Sequence, residues 1–143
     1  LVGDLAILEA HRRFPDRRVD SIALDDAGPI LISHRGVGGT TSAMQQLTVL
    51  DGSATDLVEL ATVDVDAWAR LVDARAGRAI FEVPGGLLVF NLDRPARPWP
   101  QAYFAAQGWP EDVILDGRRI VFAAGRYGIY AFDVDESNLP SQR

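Results

Sequence analysis

The chain has 143 residues, 48% of them hydrophobic, with a mean hydropathy of +0.03, a balance that suits a packed globular body and argues against disorder. Its net charge of −6 and pI near 4.8 argue against nucleic-acid binding, which needs a basic face. There is no Cys, which excludes disulfides and thiolate metal centres, and no apolar run approaches the ~18 residues of a membrane-spanning helix.

The opening Leu1-Val2-Gly3-Asp4 has neither the basic start nor the apolar core of a signal peptide. The sole Met is Met44, so the N-terminus is read as a cut. Residues 5–11 form an isolated outer strand in this reading, with helix as the rival. Arg12, Arg13, Arg17 and Arg18 around Pro15 read as a solvated loop. A first unit, 17–63, holds strands at Ile22-Ala23-Leu24-Asp25, Pro29 to Ser33, Leu47 to Asp51 and Leu57 to Val63. The glycine-rich stretch Gly36 to Ala43 makes a long loop between its second and third strands. A second unit, 67–107, has strands at Leu71-Val72, Ile80-Phe81, Gly86 to Leu92 and Gln101 to Ala106. Helix propensity over Ala67 to Ala76 is overridden by its place in the repeat. A third unit, 109–134, has three strands and no fourth, and the polar residues 135–143 read as a tail. The turns Asp51-Gly52, Pro84-Gly85-Gly86 and Asp116-Gly117 supply residues that tolerate positive φ.

These units repeat. Gly86-Leu87-Leu88-Val89-Phe90-Asn91-Leu92 lies over Gly128-Ile129-Tyr130-Ala131-Phe132-Asp133-Val134 at an offset of 42, which also sets Ile80-Phe81 over Phe122-Ala123. The first copy matches at an offset of 48 before its loop and 40 after it, so it carries eight extra residues. Segments such as Ile120-Val121-Phe122-Ala123 are apolar at consecutive positions, as in strands covered on both faces. A four-stranded sheet cannot cover itself, so neighbouring sheets must stack on it, and radial stacking answers that demand. The fold class expected is all-β: four-stranded antiparallel blades of a β-propeller, three in number and an incomplete ring. Further blades or a second chain would complete it.

The run Trp109-Pro110-Glu111-Asp112-Val113-Ile114-Leu115-Asp116-Gly117, then Phe122-Ala123-Ala124-Gly125, then Gly128-Ile129-Tyr130-Ala131-Phe132-Asp133-Val134 resembles the LVIVP-type β-propeller repeat of bacterial and archaeal proteins. Asn138-Leu139-Pro140 is similar to the turn that follows such strands. The match is good over 109–140, fair over 67–98 and poor over 17–51. The resemblance implies a propeller in a larger protein, often exported or on the cell surface, used for binding or scaffolding. It supplies no catalytic motif.

Candidate chemistry is sparse. His11 and His34 are the only histidines, and both read as surface or loop residues. Asp133-Val134-Asp135-Glu136-Ser137 opens like a calcium loop but lacks its glycine, and Asp64-Val65-Asp66 is a similar pair; both read as solvated strand ends. Trp99 and Trp109, beside prolines, read as packing between blades. The stretch Gly36-Val37-Gly38-Gly39 lacks the Lys and Ser/Thr ending of a phosphate loop. Loops on a rigid scaffold carry function, so the binding residues expected are Gly36, Gly38, Gly39, Thr40 and Thr41. No catalytic, metal or cofactor site is assigned. The function expected is a non-enzymatic module for a protein or carbohydrate partner. The alternative is part of a propeller enzyme of hydrolase, lactonase or quinoprotein type, with its catalytic residues elsewhere.

Overall fold

The computed structural model describes residues 12–36, 45–53, 56–65, 68–116 and 118–134. Within these residues the chain is all-β, its strands arranged in three antiparallel sheets. The first sheet comprises β1 (Arg17–Leu24), β2 (Ile30–Gly36), β3 (Gln46–Leu50) and β4 (Glu59–Asp64). The second comprises β5 (Arg70–Arg75), β6 (Arg78–Val83), β7 (Gly86–Asn91) and β8 (Trp99–Ala105). The third comprises β9 (Asp112–Asp116), β10 (Arg119–Ala123) and β11 (Ile129–Asp133), with a short 3-10 turn at Gly125–Tyr127. Each sheet runs up and down in chain order. No helix among the described residues is long and apolar enough to cross a membrane. Residues 5–11 and 135–143 lie outside the described residues.

Turn chemistry explains the short hairpins. Arg75 pairs with Arg78 across Ala76 and Gly77, both at positive φ, the geometry whose twist matches antiparallel strands. Val83 pairs with Gly86 across Pro84 and Gly85; Pro sets one turn position, and Gly85 takes φ +84° at the other. The region 70–75, where helix propensity competed, is strand. β5 lies against β1 and β9, so it has a neighbour on each side.

Cross-strand register makes the repeat quantitative. Ile30 pairs with Leu50, Ala79 with Phe90 and Ile120 with Phe132, so these three pairs are equivalent. Phe122 therefore occupies the place of Phe81, and the alignment expected from sequence is one residue out over the second strands. The cause is the last hairpin, where Gly125-Arg126-Tyr127 replaces the two-residue Pro84-Gly85 turn. A one-residue slip would have turned every side chain to the wrong face. The first sheet places its long loop between His34 and Gln46, which pair. Equivalent steps of β4 and β8 also carry a bulge, opposite Val49/Leu50 and Val89/Phe90.

The second sheet is covered on both sides. One face packs Leu71, Ala79, Phe81 and Phe90 against Leu31, Leu47 and Val49 of the first sheet. The other packs Ile80, Leu87, Val89 and Phe104 against Leu115, Ile120 and Phe122 of the third. Phe104 stacks on Phe132 with ring centroids 4.7 Å apart. At ~25 cal/mol per Å², these aromatic and branched side chains form the main cohesion between sheets. A polar clasp adds to it. The buried Asp25 carboxylate, between β1 and β2, accepts from the Gly77 N–H at 3.2 Å, and Asp26 accepts from the Ala76 N–H at 2.8 Å.

Candidate functional site

At one end of the first junction lies a cleft of about 260 Å³, bounded by β1, β2 and the start of β5. Asp20 is one of the residues that line it. β1 slips register between Val19 and Ser21, leaving Asp20 as the bulged residue, and a bulge re-aims a side chain. Three side chains converge on this carboxylate: Arg35 Nε at 3.1 Å, Gln45 Nε2 at 3.3 Å and Arg18 Nε at 3.5 Å. Gln45 also donates to the Ser33 hydroxyl at 2.6 Å. On the opposite wall, Arg70 donates through Nε and Nη2 to the buried Glu82 carboxylate. Trp68, in the β4–β5 connection, stands at the rim with 74% of its surface exposed. The arrangement is a flat apolar ring beside guanidinium and amide groups that neighbouring acids hold in place.

A second hollow of about 480 Å³ lies at the β7–β8 connection, lined by Asn91, Asp93, Arg94, Arg97, Pro98 and Trp99. Its local order is a turn in which Asp93 N–H donates to Asn91 Oδ1 at 2.8 Å. The inter-sheet cleft is the stronger site because its polar side chains are fixed by one another on two sheets, which lowers the entropy cost of binding.

The loop expected to bind is anchored at this cleft. Gly36 ends β2, directly after Arg35, and Gln45 resumes the chain; both flanking residues line the cleft. Gly38, Gly39, Thr40 and Thr41 lie outside the described residues. Sequence reasoning reached Gln45 only as the end of the loop that starts at Gly36. It missed Asp20 and Arg35, which meet through the β1 bulge, and Trp68 and Arg70, which join them only where two sheets meet.

Two readings of single residues are corrected. His34 is fully buried, not a surface or loop residue. Its Nε2 is 2.7 Å from Thr48 Oγ1, which is 2.6 Å from Thr62 Oγ1, and the Thr62 hydroxyl donates to Glu59 Oε1 at 2.6 Å. Burial first, and then Arg17, hold the His34 pKa below its ordinary value. Trp99 and Trp109 are exposed instead of packed between sheets.

The arginine cluster, read as solvated, is partly structural. Arg17 donates to Glu59 at 3.2 Å and to Thr48 at 3.3 Å, Arg12 pairs with Glu59 at 3.7 Å, and both guanidinium groups lie over the Phe14 ring. The Thr62 hydroxyl, ahead of Arg17, holds the Glu59 carboxyl below its ordinary range. Asp64 accepts from Gln46 at 2.8 Å, and Asp133 pairs with Arg119 at 3.5 Å. Among the described residues no three His, Asp or Glu side chains gather as metal ligands. His11, Asp66 and Asp135 to Ser137 lie outside them.

No protein-family model matches the chain, and no curated protein matches it.

Proposed function

We propose that the chain is a segment of a β-propeller that serves as a non-enzymatic interaction module, its contact point being the cleft between the first two sheets. The surrounding protein would be the larger, exported or surface-associated kind that the LVIVP resemblance implies. The observation that carries this reading is exposed Trp68 beside Arg35, Gln45 and Arg70, whose positions are set by Asp20 and Glu82. An aromatic face stacks on the apolar side of a sugar ring, and fixed polar groups read hydroxyl or carboxylate substituents. Of the two partner classes, carbohydrate fits this chemistry better than protein, which favours a broader apolar anchor. His34, the one described residue suited to proton transfer at neutral pH, is sealed from solvent and committed to Thr48, which also supports a binding role.

Titration of the chain with neutral and acidic oligosaccharides, read by tryptophan fluorescence and calorimetry, tests the proposal. A saccharide should bind, and Trp68→Ala should weaken it at least about tenfold, 1.4 kcal/mol, with an unchanged far-UV spectrum. Binding that survives Trp68→Ala, or no binding by any saccharide in the set, overturns it.

A further inference from the structure

The register equivalences turn the two end sheets into a matched pair of faces. Leu47 and Val49 of the first sheet face the second, and Leu87 and Val89 of the second face the third; all four are fully buried. Pairing with Ser33, Glu82 and Ala123 makes Leu47, Leu87 and Ile129 equivalent. In the third sheet the same face therefore presents Ile129, Ala131 and Val121, joined by Ile114, which pairs with Val121. Here Ile129 is 76% exposed and Ile114 59%. The first sheet mirrors this on its opposite side. Ile22 pairs with Ile32 as Leu71 does with Phe81 and Val113 with Phe122. Leu24 pairs with Ile30 as Ala74 does with Ala79 and Leu115 with Ile120. Leu71, Ala74 and Leu115 are buried at sheet junctions, yet Ile22 is 72% and Leu24 66% exposed.

We propose that the open face of the third sheet takes the outer face of the first sheet of a second copy, docking on its exposed strand β1, so that two chains close head to tail into one six-sheet ring. The proposal rests on the propeller reading above and names the partner that completes it. What identifies that partner is continuity: of the junction that occurs twice within the chain, the third sheet leaves one half exposed, and the outer face of the first sheet leaves Ile22 and Leu24 of β1 exposed. A junction between different faces builds either a closed ring or an open filament. Two copies carry two such junctions, and once the first forms, the second is intramolecular and gains from the high effective concentration. Water-exposed Ile and Leu side chains at these positions are the driving force. The edge strand β1 supplies the first-sheet contacts, while Ile32 of β2 and Leu50 of β3 on the same face are already buried.

Native mass spectrometry and sedimentation of the chain test this. The expected mass is twice 15.6 kDa. Ile22→Asp and Ile129→Asp should each halve it, since each change damages both junctions of a like pair. An equimolar mixture of the two variants should recover the two-chain mass through the one junction that keeps both native faces. Both positions are exposed, and a cooperative urea transition checks that each variant folds; Leu24→Asp and Ala131→Asp serve as second variants. A monomeric wild type overturns the proposal and assigns the faces to other sheets. An Ile22→Asp protein that stays paired overturns it in favour of a symmetric contact between third sheets, and open-ended polymers overturn ring closure. Saccharide binding at Trp68, measured on either monomeric variant, fails or holds independently of this result.

Discussion

His34 shows how a residue that sequence reading places at the surface becomes a structural element. Its imidazole sits at the end of a hydroxyl chain, Thr48 to Thr62 to Glu59, on the face of the first sheet turned away from the second. Because burial lowers its folded pKa beneath the unfolded value near 6.5, the neutral form is favoured in the fold. Stability from this group is full above about pH 6.5 and is lost as pH falls through and below that value. Glu59, lowered from 4.5, acts only at more acidic pH, and Asp25, raised chiefly by burial, works in the opposite sense. The urea midpoint of the chain should fall between pH 7.5 and 5.5. His34→Gln should flatten that fall, and an equal pH slope in both proteins would count against the assignment.

At the scale of elements, the hairpins decide which face each strand buries. Gly86 begins β7 with φ +158°, nearly extended, but a Cβ there would lie 1.9 Å from the Phe104 carbonyl oxygen of β8. Gly128 holds the equivalent place in the third sheet, with φ +90° and open space around a built Cβ. Gly128→Ala should therefore cost only backbone strain, about 1–3 kcal/mol, because φ +90° with ψ −144° is a conformation essentially confined to glycine. Gly86→Ala must push two backbone strands apart and should cost more than about 3 kcal/mol. Urea denaturation of the two variants checks the order, and equal costs would mean that β7 and β8 relax freely. The bulge that aims Asp20 into the cleft belongs to this scale too. Nothing in Arg17-Arg18-Val19-Asp20-Ser21 marks a bulge locally, since it arises from pairing with β2.

Across the whole molecule, cohesion is unequal because the sheets are unequally covered. Ala79, Ile80, Phe81, Leu87 and Val89 of the second sheet are fully buried, and they contact both neighbours. Opening such strands exposes two cores at once, so their amides should exchange with solvent at least about tenfold more slowly than those of β1 and β11. Hydrogen exchange resolved by residue checks this, and uniform protection across the three sheets would show that each is equally supported. The polar clasp from Asp25 and Asp26 to the Ala76-Gly77 turn links the first two sheets at the end of the junction opposite the cleft.

Strand identity, repeat period and all-β class were legible in the amino-acid sequence, because they depend on local quantities: runs of consecutive apolar residues, Gly and Pro at turns, and recurrence of Gly-apolar-x-apolar-Phe. The third sheet was read with three strands, as it has among the described residues. The loop beginning at Gly36 was singled out because it lengthens the first unit by eight residues and loops on a scaffold carry function, and Arg35 and Gln45 beside it line the cleft. The cleft was not legible. Asp20, Arg35, Gln45, Trp68 and Arg70 carry no shared spacing, and they meet only through a bulge and a junction between two sheets. Burial of His34 and exposure of Trp99 and Trp109 were likewise set by which sheet covers which face. Local pattern determines that a strand forms; only packing across sheets determines which of its side chains meet water.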